Sequence, residues 1–224
     1  QVEDYPVTLF LSKEGYFKKI TAQSLRMSGE QKYKEGDSLF QSFESSNRAE
    51  LLFLTDKQQM YKAKVSDFDD TKASVLGVYL PTKLQFDEGE NIIAMINPGD
   101  YSKHLLLVFE NGKVAKVPLN AYETKTNRKK LGNAYSAKSK LVAVFHIADN
   151  AQIMLRSSNG RAVIFDTALL LPKATRDTIG VQVMTLKAKS TLEKAFVIDA
   201  ETADNLKKYK SKNIPAAGSF AKDI

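Results

Sequence analysis

The chain has 224 residues, no cysteine, 43% hydrophobic residues and a formal net charge of +7. This apolar content is sufficient for folded cores, and 11 glycines with 6 prolines are too few for a disordered or fibrous class. The lack of cysteine excludes disulfides and thiolate metal sites and is typical of a reducing compartment, so we expect a cytoplasmic protein. No run approaches the roughly 20 apolar residues that span a bilayer, and the N-terminus lacks a signal-peptide pattern, so we expect no membrane partner.

A strand-turn-strand phrase occurs four times along the chain. The copies are LFLSKEGYFKKI from Leu9, FLTDKQQMYKAKV from Phe53, LLVFENGKVAKV from Leu106 and IMLRSSNGRAVIF from Ile153. Their turn positions, Gly15, Gln58, Gly112 and Gly160, are separated by 43, 54 and 48 residues. Asn-Gly pairs in the third and fourth copies are strong hairpin signals, whereas Gln58 replaces glycine and predicts a different or strained turn. Repeats of this length with strand-like content favour propeller blades over helical solenoids.

Each hairpin is followed by a long polar loop and then by a further apolar run. These runs are SLFQSF, NIIAMI, LVAVFHI and VQVMTL, and each predicts a third strand of a small antiparallel sheet. We expect one domain over residues 1–224, with repeats at about 4–50, 51–102, 103–150 and 151–200. The polar, basic tail at 201–224 is expected either to cover an edge strand or to be disordered.

The positive charge is concentrated in the second half of the chain. Residues 101–150 carry a net charge of +6, whereas residues 1–50 and 51–100 carry −1 and −3. A clustered excess of this kind suits a polyanionic partner, although uneven blocks also arise by chance in a lysine-rich chain. The acidic loop around Asp67, Asp69 and Asp70 predicts that the second repeat is a poor surface for a polyanion.

No catalytic or metal-binding pattern is recognisable, so we expect no catalytic residue, no metal and no cofactor in this domain. His104 and His146 lie in apolar runs and are expected to be core or strand-end residues. The aspartates of the second repeat lack the glycine and the distal glutamate of a calcium loop.

The phrases GYFKKITAQSL and NGKVAKVPLNAY resemble the repeats of the C-terminal domain of the A subunit of bacterial type IIA topoisomerases, DNA gyrase and topoisomerase IV. The resemblance covers residues 4–200. It implies an all-β, propeller-like β-pinwheel of four-stranded antiparallel blades that exchange strands, and a basic rim that binds and bends duplex DNA without reading its sequence. It also implies an ATP-dependent parent enzyme whose cleavage and ATPase chemistry lies in other domains.

The resemblance weakens at the gyrase box, a QRRGGKG-like heptapeptide in the first long loop of the family's gyrase members. Here that loop reads SLRMSGEQKYKEGD, and the most similar stretch is TNRKKLGNAYS in the third repeat. This departure favours a topoisomerase IV-like or divergent gyrase-like A subunit.

Duplex DNA is a line of phosphates, so a protein that binds it without base readout needs cations spread along a path. We expect the main path in the third and fourth repeats, where the loop around Lys125–Lys140 is densest in cations, and a weaker patch in the first repeat. The candidate DNA-binding residues are Lys113, Lys116, Lys125, Arg128, Lys129, Lys130, Lys138, Lys140, Arg161, Lys173, Arg176, Lys18, Lys19, Arg26, Lys32 and Lys34. Lys187 and Lys189 extend the same expected path.

The expected partners are duplex DNA, the ATPase B subunit of the parent topoisomerase and the remainder of its A subunit. The isolated domain is expected to be a monomer. The alternative is a propeller-like adaptor whose faces bind protein. The two hypotheses differ in one observable, because binding through phosphates weakens steeply with salt.

Overall fold

The computed structural model describes residues 1–125 and 127–222, and short antiparallel strands dominate this part of the chain. In chain order the strands are β1 (Pro6–Ser12), β2 (Tyr16–Thr21), β3 (Leu39–Ser46), β4 (Glu50–Thr55), β5 (Met60–Lys64), β6 (Asp70–Thr71), β7 (Val78–Tyr79), β8 (Ile92–Ile96), β9 (His104–Phe109), β10 (Lys113–Pro118), β11 (Lys130–Leu131), β12 (Leu141–Ile147), β13 (Gln152–Ser157), β14 (Arg161–Asp166), β15 (Val181–Gln182), β16 (Leu192–Ile198) and β17 (Ser219–Phe220). The α-helices are α1 (Ala22–Met27), α2 (Leu80–Lys83) and α3 (Ala200–Asn205), and short 3-10 helices occupy Val65–Asp67, Leu119–Tyr122, Thr167–Leu169 and Lys207–Tyr209.

The chain forms two compact units, each built from two sheets. Unit 1 comprises Gln1–Gly99 and Thr124–Gly132, and unit 2 comprises Asp100–Glu123 and Asn133–Ile224. In unit 1 the first sheet has the order β3-β1-β2-β6, with β7 also paired to β2, and the second sheet has the order β11-β5-β4-β8. In unit 2 the third sheet has the order β12-β9-β10-β15, and the fourth has the order β16-β13-β14-β17. The division into one domain with four repeats stays a prediction.

The four predicted hairpins are confirmed as β1-β2, β4-β5, β9-β10 and β13-β14. Gly15, Gly112 and Gly160 have φ angles of 103°, 85° and 80°, a left-handed conformation that glycine adopts without a steric cost. Gln58 has a φ of 55° at the same turn position, so the second hairpin places an L-residue with a Cβ in this region. The strain predicted for Gln58 is therefore real.

The outer strand of each sheet is supplied by chain that follows the next hairpin. β6 and β7 follow the second hairpin but pair with β2, β11 follows the third but pairs with β5, and β15 follows the fourth but pairs with β10. The tail supplies β17, which pairs with β14, so this part of the tail covers an edge strand as expected. The strand exchange explains why Thr124–Gly132 belongs to unit 1.

The structure corrects one predicted strand. VQVMTL is not the third strand of the fourth sheet, because Val181 and Gln182 form the exchanged strand β15 of the third sheet. The third strand of the fourth sheet is β16, which pairs with β13 from Gln152 to Ser157. The sequence LEKAFVI of β16 alternates polar and apolar residues irregularly, and most of its residues are half-buried or exposed, so it carries a weak strand signal.

Each unit has a core shared by its two sheets. In unit 1 Leu9 and Phe17 of the first sheet pack in one cluster with Phe53 and Tyr61 of the second. In unit 2 the cluster includes Leu106 of the third sheet and Phe165 of the fourth. The first hairpin strands of the second and third sheets, β4 and β9, are buried on both faces, and for this reason their sequences are continuous apolar runs rather than alternating ones. Burial of these runs fixes the hairpins that carry the surface cations.

Candidate nucleic-acid interface

The exchanged chain runs beside the same position of the second hairpin strand in every sheet. Backbone hydrogen bonds or bridge partners define the aligned pairs, which are Lys19 with Asp70, Lys62 with Lys129, Lys116 with Lys173 and Ile164 with Lys210. The exchanged residue is thus an aspartate on the first sheet and a lysine on the other three. All four side chains are exposed. Three of the four sheets therefore present a cation at an equivalent surface position.

The second sheet has the densest group of cations. Lys125, Arg128 and Lys129 line one wall of an open groove of about 680 Å³, and Lys62 and Lys64 of β5 line the other. The three residues of the exchanged segment are exposed, and the groove also contains the carboxylates of Glu50 and Asp67. Five cations face two carboxylates, so the groove carries a net positive charge.

The electrostatics of this groove depend on which cations are already paired. The Nζ of Lys62 lies 2.8 Å from Glu50 Oε2 and 3.3 Å from Thr124 Oγ1, so this ammonium is held inside the groove. Lys130 lies 3.7 Å from Asp87 Oδ1 and over the ring of Tyr61, 5.6 Å from its centroid. Because this ion pair is exposed on both sides, it adds little stability and competes weakly with a phosphate. Lys125, Arg128 and Lys129 are exposed, and Arg128 also donates from Nε to the Lys130 carbonyl at 3.1 Å.

Strand exchange changes the expected placement of these residues. The sequence assigned Lys125–Lys140 to one loop of the third repeat and predicted a poor surface on the second. In the structure β11 pairs with β5, so Lys125, Arg128, Lys129 and Lys130 lie on the second sheet in unit 1. Lys138 and Lys140 are exposed in unit 2. The second sheet thus gains cations from the third repeat, while Asp67 of its own acidic loop lines the same groove. The expectation that the second repeat is a poor surface for a polyanion stays a prediction.

Three of the predicted DNA-binding lysines are buried. Lys18 is 3% exposed, and its Nζ donates to the backbone carbonyl oxygens of Lys32, Ala73 and Val75 at 3.2, 3.1 and 3.0 Å. Burial lowers the pKa of this ammonium. These carbonyls occupy the donors that a phosphate would require, so Lys18 has a structural role.

Lys19 and Lys116 form the same buried arrangement in the two units. The Nζ of Lys19 donates to Asn47 Oδ1 at 2.8 Å and to the Val65 carbonyl at 3.4 Å, and it lies 3.4 Å from Asp70 Oδ1. The Nζ of Lys116 donates to Asn150 Oδ1 at 3.2 Å and to the Thr167 carbonyl at 3.3 Å. In both cases a lysine of one hairpin holds the start of the next repeat's 3-10 helix. We therefore leave Lys18, Lys19 and Lys116 out of the proposed interface.

The other predicted cations of unit 2 differ in availability. Lys173 is exposed, and Lys113 is half-buried on β10. Arg161 donates from Nη1 to the Gly218 carbonyl at 3.0 Å, and its guanidinium lies over Phe220, 4.2 Å from the ring centroid. Arg176 donates from Nη1 to the Ala121 carbonyl at 3.1 Å. Both arginines hold chain segments in place, and Arg161 fixes the strand of the tail.

The first repeat places Arg26, Lys32 and Lys34 at the surface. Arg26 lies in the last turn of α1, and the Nζ of Lys34 lies 5.5 Å from the centroid of the Tyr16 ring. A hydrogen bond with Tyr16 raises the pKa of Lys34, so this side chain keeps its positive charge. The nearby carboxylates of Glu30, Glu35 and Asp37 limit the positive potential of this loop.

Sequence reasoning missed two groups of cations. Lys62 and Lys64 lie on β5 and join the groove only because exchanged chain forms its other wall. The tail cations Lys207, Lys208, Lys210 and Lys212 lie on the fourth sheet, where Ser211 donates its N–H to the Ile164 carbonyl at 2.8 Å. The basic run LKKYKSK was the sequence signal that could have revealed these tail cations. It lies beside β14 of the fourth sheet, as the exchanged segment with Lys129 lies beside β5 of the second sheet.

Within residues 1–125 and 127–222, no helix combines the length and hydrophobicity needed to cross a bilayer. The same residues contain no group of three or more histidine, aspartate or glutamate side chains placed to hold a metal ion.

Comparison with known proteins supports the resemblance. Residues 49–97 and 151–199 match the family described as DNA gyrase C-terminal domain, beta-propeller. The chain is 24% identical over 217 residues to the DNA gyrase A protein of Deinococcus deserti, a match that covers 92% of this chain and 26% of that protein. It is also 24% identical over 225 residues to a probable chloroplastic/mitochondrial DNA gyrase A protein of Oryza sativa, covering 96% of this chain and 23% of that protein. The chain thus spans about a quarter of the length of these relatives.

Solved structures agree with this assignment. The C-terminal domain of DNA topoisomerase IV superposes with a TM-score of 0.78 at 25% identity, covering 89% of this chain and 63% of that one. The Escherichia coli ParC C-terminal domain gives a TM-score of 0.74 at 15% identity, covering 97% of this chain and 94% of that one, and supports the fold alone. The resemblance predicted from the repeats is confirmed, and so is the fold class of a propeller-like β-pinwheel.

Proposed function

Because this chain has the repeats and the fold of the C-terminal domain of the A subunits of gyrase and topoisomerase IV, we propose that it binds duplex DNA through phosphates and bends it. The chain has no catalytic role in this proposal. It holds a DNA segment for a type IIA topoisomerase. The cleavage centre of that enzyme lies in the remainder of the A subunit, and the ATPase centre lies in the B subunit. We also propose that the domain acts in the cytoplasm and is a monomer on its own.

One observation carries the proposal. Exchanged chain places a lysine at the aligned position of the second, third and fourth sheets, and on the second and fourth sheets further cations surround it. These cations lie on separate sheets rather than in a single pocket. A distributed set of point charges suits a line of phosphates better than it suits a small ligand, since each contact releases counterions independently.

The surface cations also have the chemistry of binding without sequence readout. Most are lysines, which act as mobile point charges, whereas base recognition favours bidentate arginines. The cations proposed for the interface are Lys62, Lys64, Lys113, Lys125, Arg128, Lys129, Lys130, Lys138, Lys140, Lys173, Lys207, Lys208, Lys210 and Lys212, with Arg26, Lys32 and Lys34 as a weaker first patch. Of these, Lys62, Lys130 and Lys210 are paired with Glu50, Asp87 and Asp204. Arg161 and Arg176 support this surface through the chain segments that they fix. Bending a site of about 20–30 base pairs costs about 1–6 kcal/mol, which several phosphate contacts offset.

The test measures duplex affinity against salt for the full chain and for a triple variant, Lys125→Gln, Arg128→Gln and Lys129→Gln. If each side chain contacts one phosphate, the slope of log K against log salt becomes shallower by about 2.7, since each contact contributes about 0.9. The control variant, Lys13→Gln, Arg48→Gln and Lys103→Gln, removes the same charge from exposed positions outside the exchanged segments.

The outcomes separate the hypotheses. A shallower salt slope in the first variant alone supports contact by the second sheet. If the slope becomes equally shallow in both variants, the change reflects only the lower net charge of the chain. An unchanged slope in the first variant removes the second sheet from the interface. No duplex binding by the parent chain, even at low salt, rejects the proposal in favour of the protein-binding adaptor.

Ligation of a nicked circle in the presence of the chain tests the geometry of the bound DNA. A positive shift in linking number indicates a gyrase-like wrap, and salt-dependent binding without a shift indicates a topoisomerase IV-like bend. We expect the second result, since the loop of the first repeat lacks a gyrase box.

A further inference from the structure

An apolar tip protrudes from the third sheet beside its aligned lysine. The side chain of Leu171 is 78% exposed, and among the large apolar side chains of the described residues only Met27, at 82%, is more exposed. Burial of a leucine side chain is worth about 1.5–3 kcal/mol, so an exposed leucine forgoes this stabilisation. Lys173, two residues further along, is also exposed. The tip thus combines an apolar side chain with an adjacent cation.

The tip is held at both ends. Leu170 is 3% exposed within the core of unit 2, and its N–H donates to the Thr167 carbonyl at 3.0 Å. Lys173 donates its N–H to the Lys116 carbonyl at 2.9 Å, which ties the other end to β10. Pro172 lies between the two anchors, and its ring fixes φ. Leu171 and Pro172 therefore form a two-residue protrusion on a rigid support.

The other three sheets lack an exposed apolar residue at this place. Two positions before the aligned residue, the first sheet has Phe68, which is 3% exposed, and the second and fourth have Asn127 and Lys208. Leu171 has this sequence offset in the third sheet, and it is the only exposed apolar residue among the four.

The tip shares a shallow cleft with the exposed cation Lys173 and with Val181, an apolar residue that is 44% exposed. This cleft has a volume of only about 30 Å³, so it offers little room for a side chain of a partner. The surface therefore offers a projection rather than a receptor. Architectural proteins insert such apolar projections, often leucine or proline, between base steps in the minor groove.

We propose that Leu171, supported by Pro172, is a wedge that enters the minor groove of the bound duplex and partly unstacks one base step. This inference rests on the proposed function, since it requires that the chain bind duplex DNA. Lys173 contacts a phosphate that flanks the opened step. Unstacking costs a few kcal/mol per step and produces kinks on the order of 20–90°, so one wedge supplies a local bend within an otherwise smooth path.

The test uses a duplex of about 30 base pairs with a single flexible TA step, in which 2-aminopurine replaces the adenine and dyes label the two ends. The full chain is compared with Leu171→Ser, with the conservative Leu171→Met and with the control Met27→Ser, which removes an equally exposed side chain from unit 1. The substituted side chains are all exposed, so the variants are expected to fold, and thermal unfolding verifies this.

The parent chain, Leu171→Met and Met27→Ser are expected to raise 2-aminopurine fluorescence and to increase end-to-end energy transfer. Leu171→Ser is expected to bind with an affinity within about threefold and with an unchanged salt slope, because its phosphate contacts remain. It is expected to lose the fluorescence rise and part of the bend.

Retention of both signals by Leu171→Ser overturns the wedge, and the exposed leucine is then better explained by a protein partner. Duplex binding by the parent chain without a rise in fluorescence also overturns the wedge but leaves the proposed function standing. Absence of duplex binding overturns both.

Discussion

Strand exchange between repeats depends on close backbone contact at glycines, and two glycines of unit 2 permit a matched test. Gly180 has a φ of 77°, and a Cβ on it would lie 2.5 Å from the Val114 carbonyl oxygen and 2.9 Å from the Ala115 nitrogen. Gly160 has a φ of 80°, and a Cβ on it would meet no atom within 4 Å. Alanine at either position incurs the cost of a left-handed conformation, but only Gly180→Ala forces β15 away from β10.

The left-handed conformation costs about 1–2 kcal/mol, partly offset by about 0.4–1 kcal/mol from the lower entropy of the unfolded chain. Overpacking against backbone adds about 1–3 kcal/mol. We therefore expect Gly160→Ala to lower the free energy of unfolding by about 1 kcal/mol and Gly180→Ala to lower it by about 2–4 kcal/mol. Urea denaturation measures both, and hydrogen exchange should be accelerated at the amides of Val183 and Met184, which donate to the Gly112 carbonyl. Equal costs for the two variants would refute the steric argument.

Three further variants test separate features. Gln58→Gly should raise the free energy of unfolding by up to about 1 kcal/mol in urea denaturation, since it relieves a φ of 55°, and a loss of stability would contradict the assignment of strain. Lys116→Met should cost about 1–3 kcal/mol because it removes the hydrogen bonds that the buried ammonium donates to Asn150 Oδ1 and to the Thr167 carbonyl, whereas Lys113→Met on the same strand should change stability by less than about 0.5 kcal/mol. Burial lowers the pKa of His146 below 6.5, so the folded state resists protonation and stability should fall as pH decreases below that value. Thermal unfolding of His146→Leu should show a weaker decrease over this range, and an unchanged profile would assign the effect to other groups.

The hairpins were predictable because their signals are local. Asn111-Gly112 and Asn159-Gly160 specify tight turns, and the apolar runs before them are buried in each core. The exchanged strands were not predictable from periodicity, since β7, β11, β15 and β17 have two residues each and pair with distant chain. A weak signal was present nevertheless. Gly77, Gly180 and Gly218 precede three of these strands and lie against the backbone of the strand they join.

The candidate cations were identified with less success, for a physical reason. A lysine in a strand is normally read as a surface residue, and Lys18, Lys19 and Lys116 are buried because neighbouring segments supply carbonyl and amide oxygens. Conversely, Lys62 and Lys64 become part of a groove because Lys125, Arg128 and Lys129 arrive from another repeat. In both cases chain remote in sequence decides the environment, which no local pattern contains.

Strand exchange also constrains how such a chain can change in length during evolution. A sheet and a sequence repeat have different boundaries here, since each sheet takes its outer strand from the segment that follows the next hairpin. Loss or duplication of one repeat would thus pair a hairpin with an outer strand from a different repeat, and this strand would bring a new set of surface charges. The first sheet receives Asp70, and the second sheet receives Lys129 at the aligned position. The segment that supplies the outer strand can therefore by itself reverse the charge at this position. Insertion of a repeat would therefore redistribute surface charge without any change in the hairpins themselves.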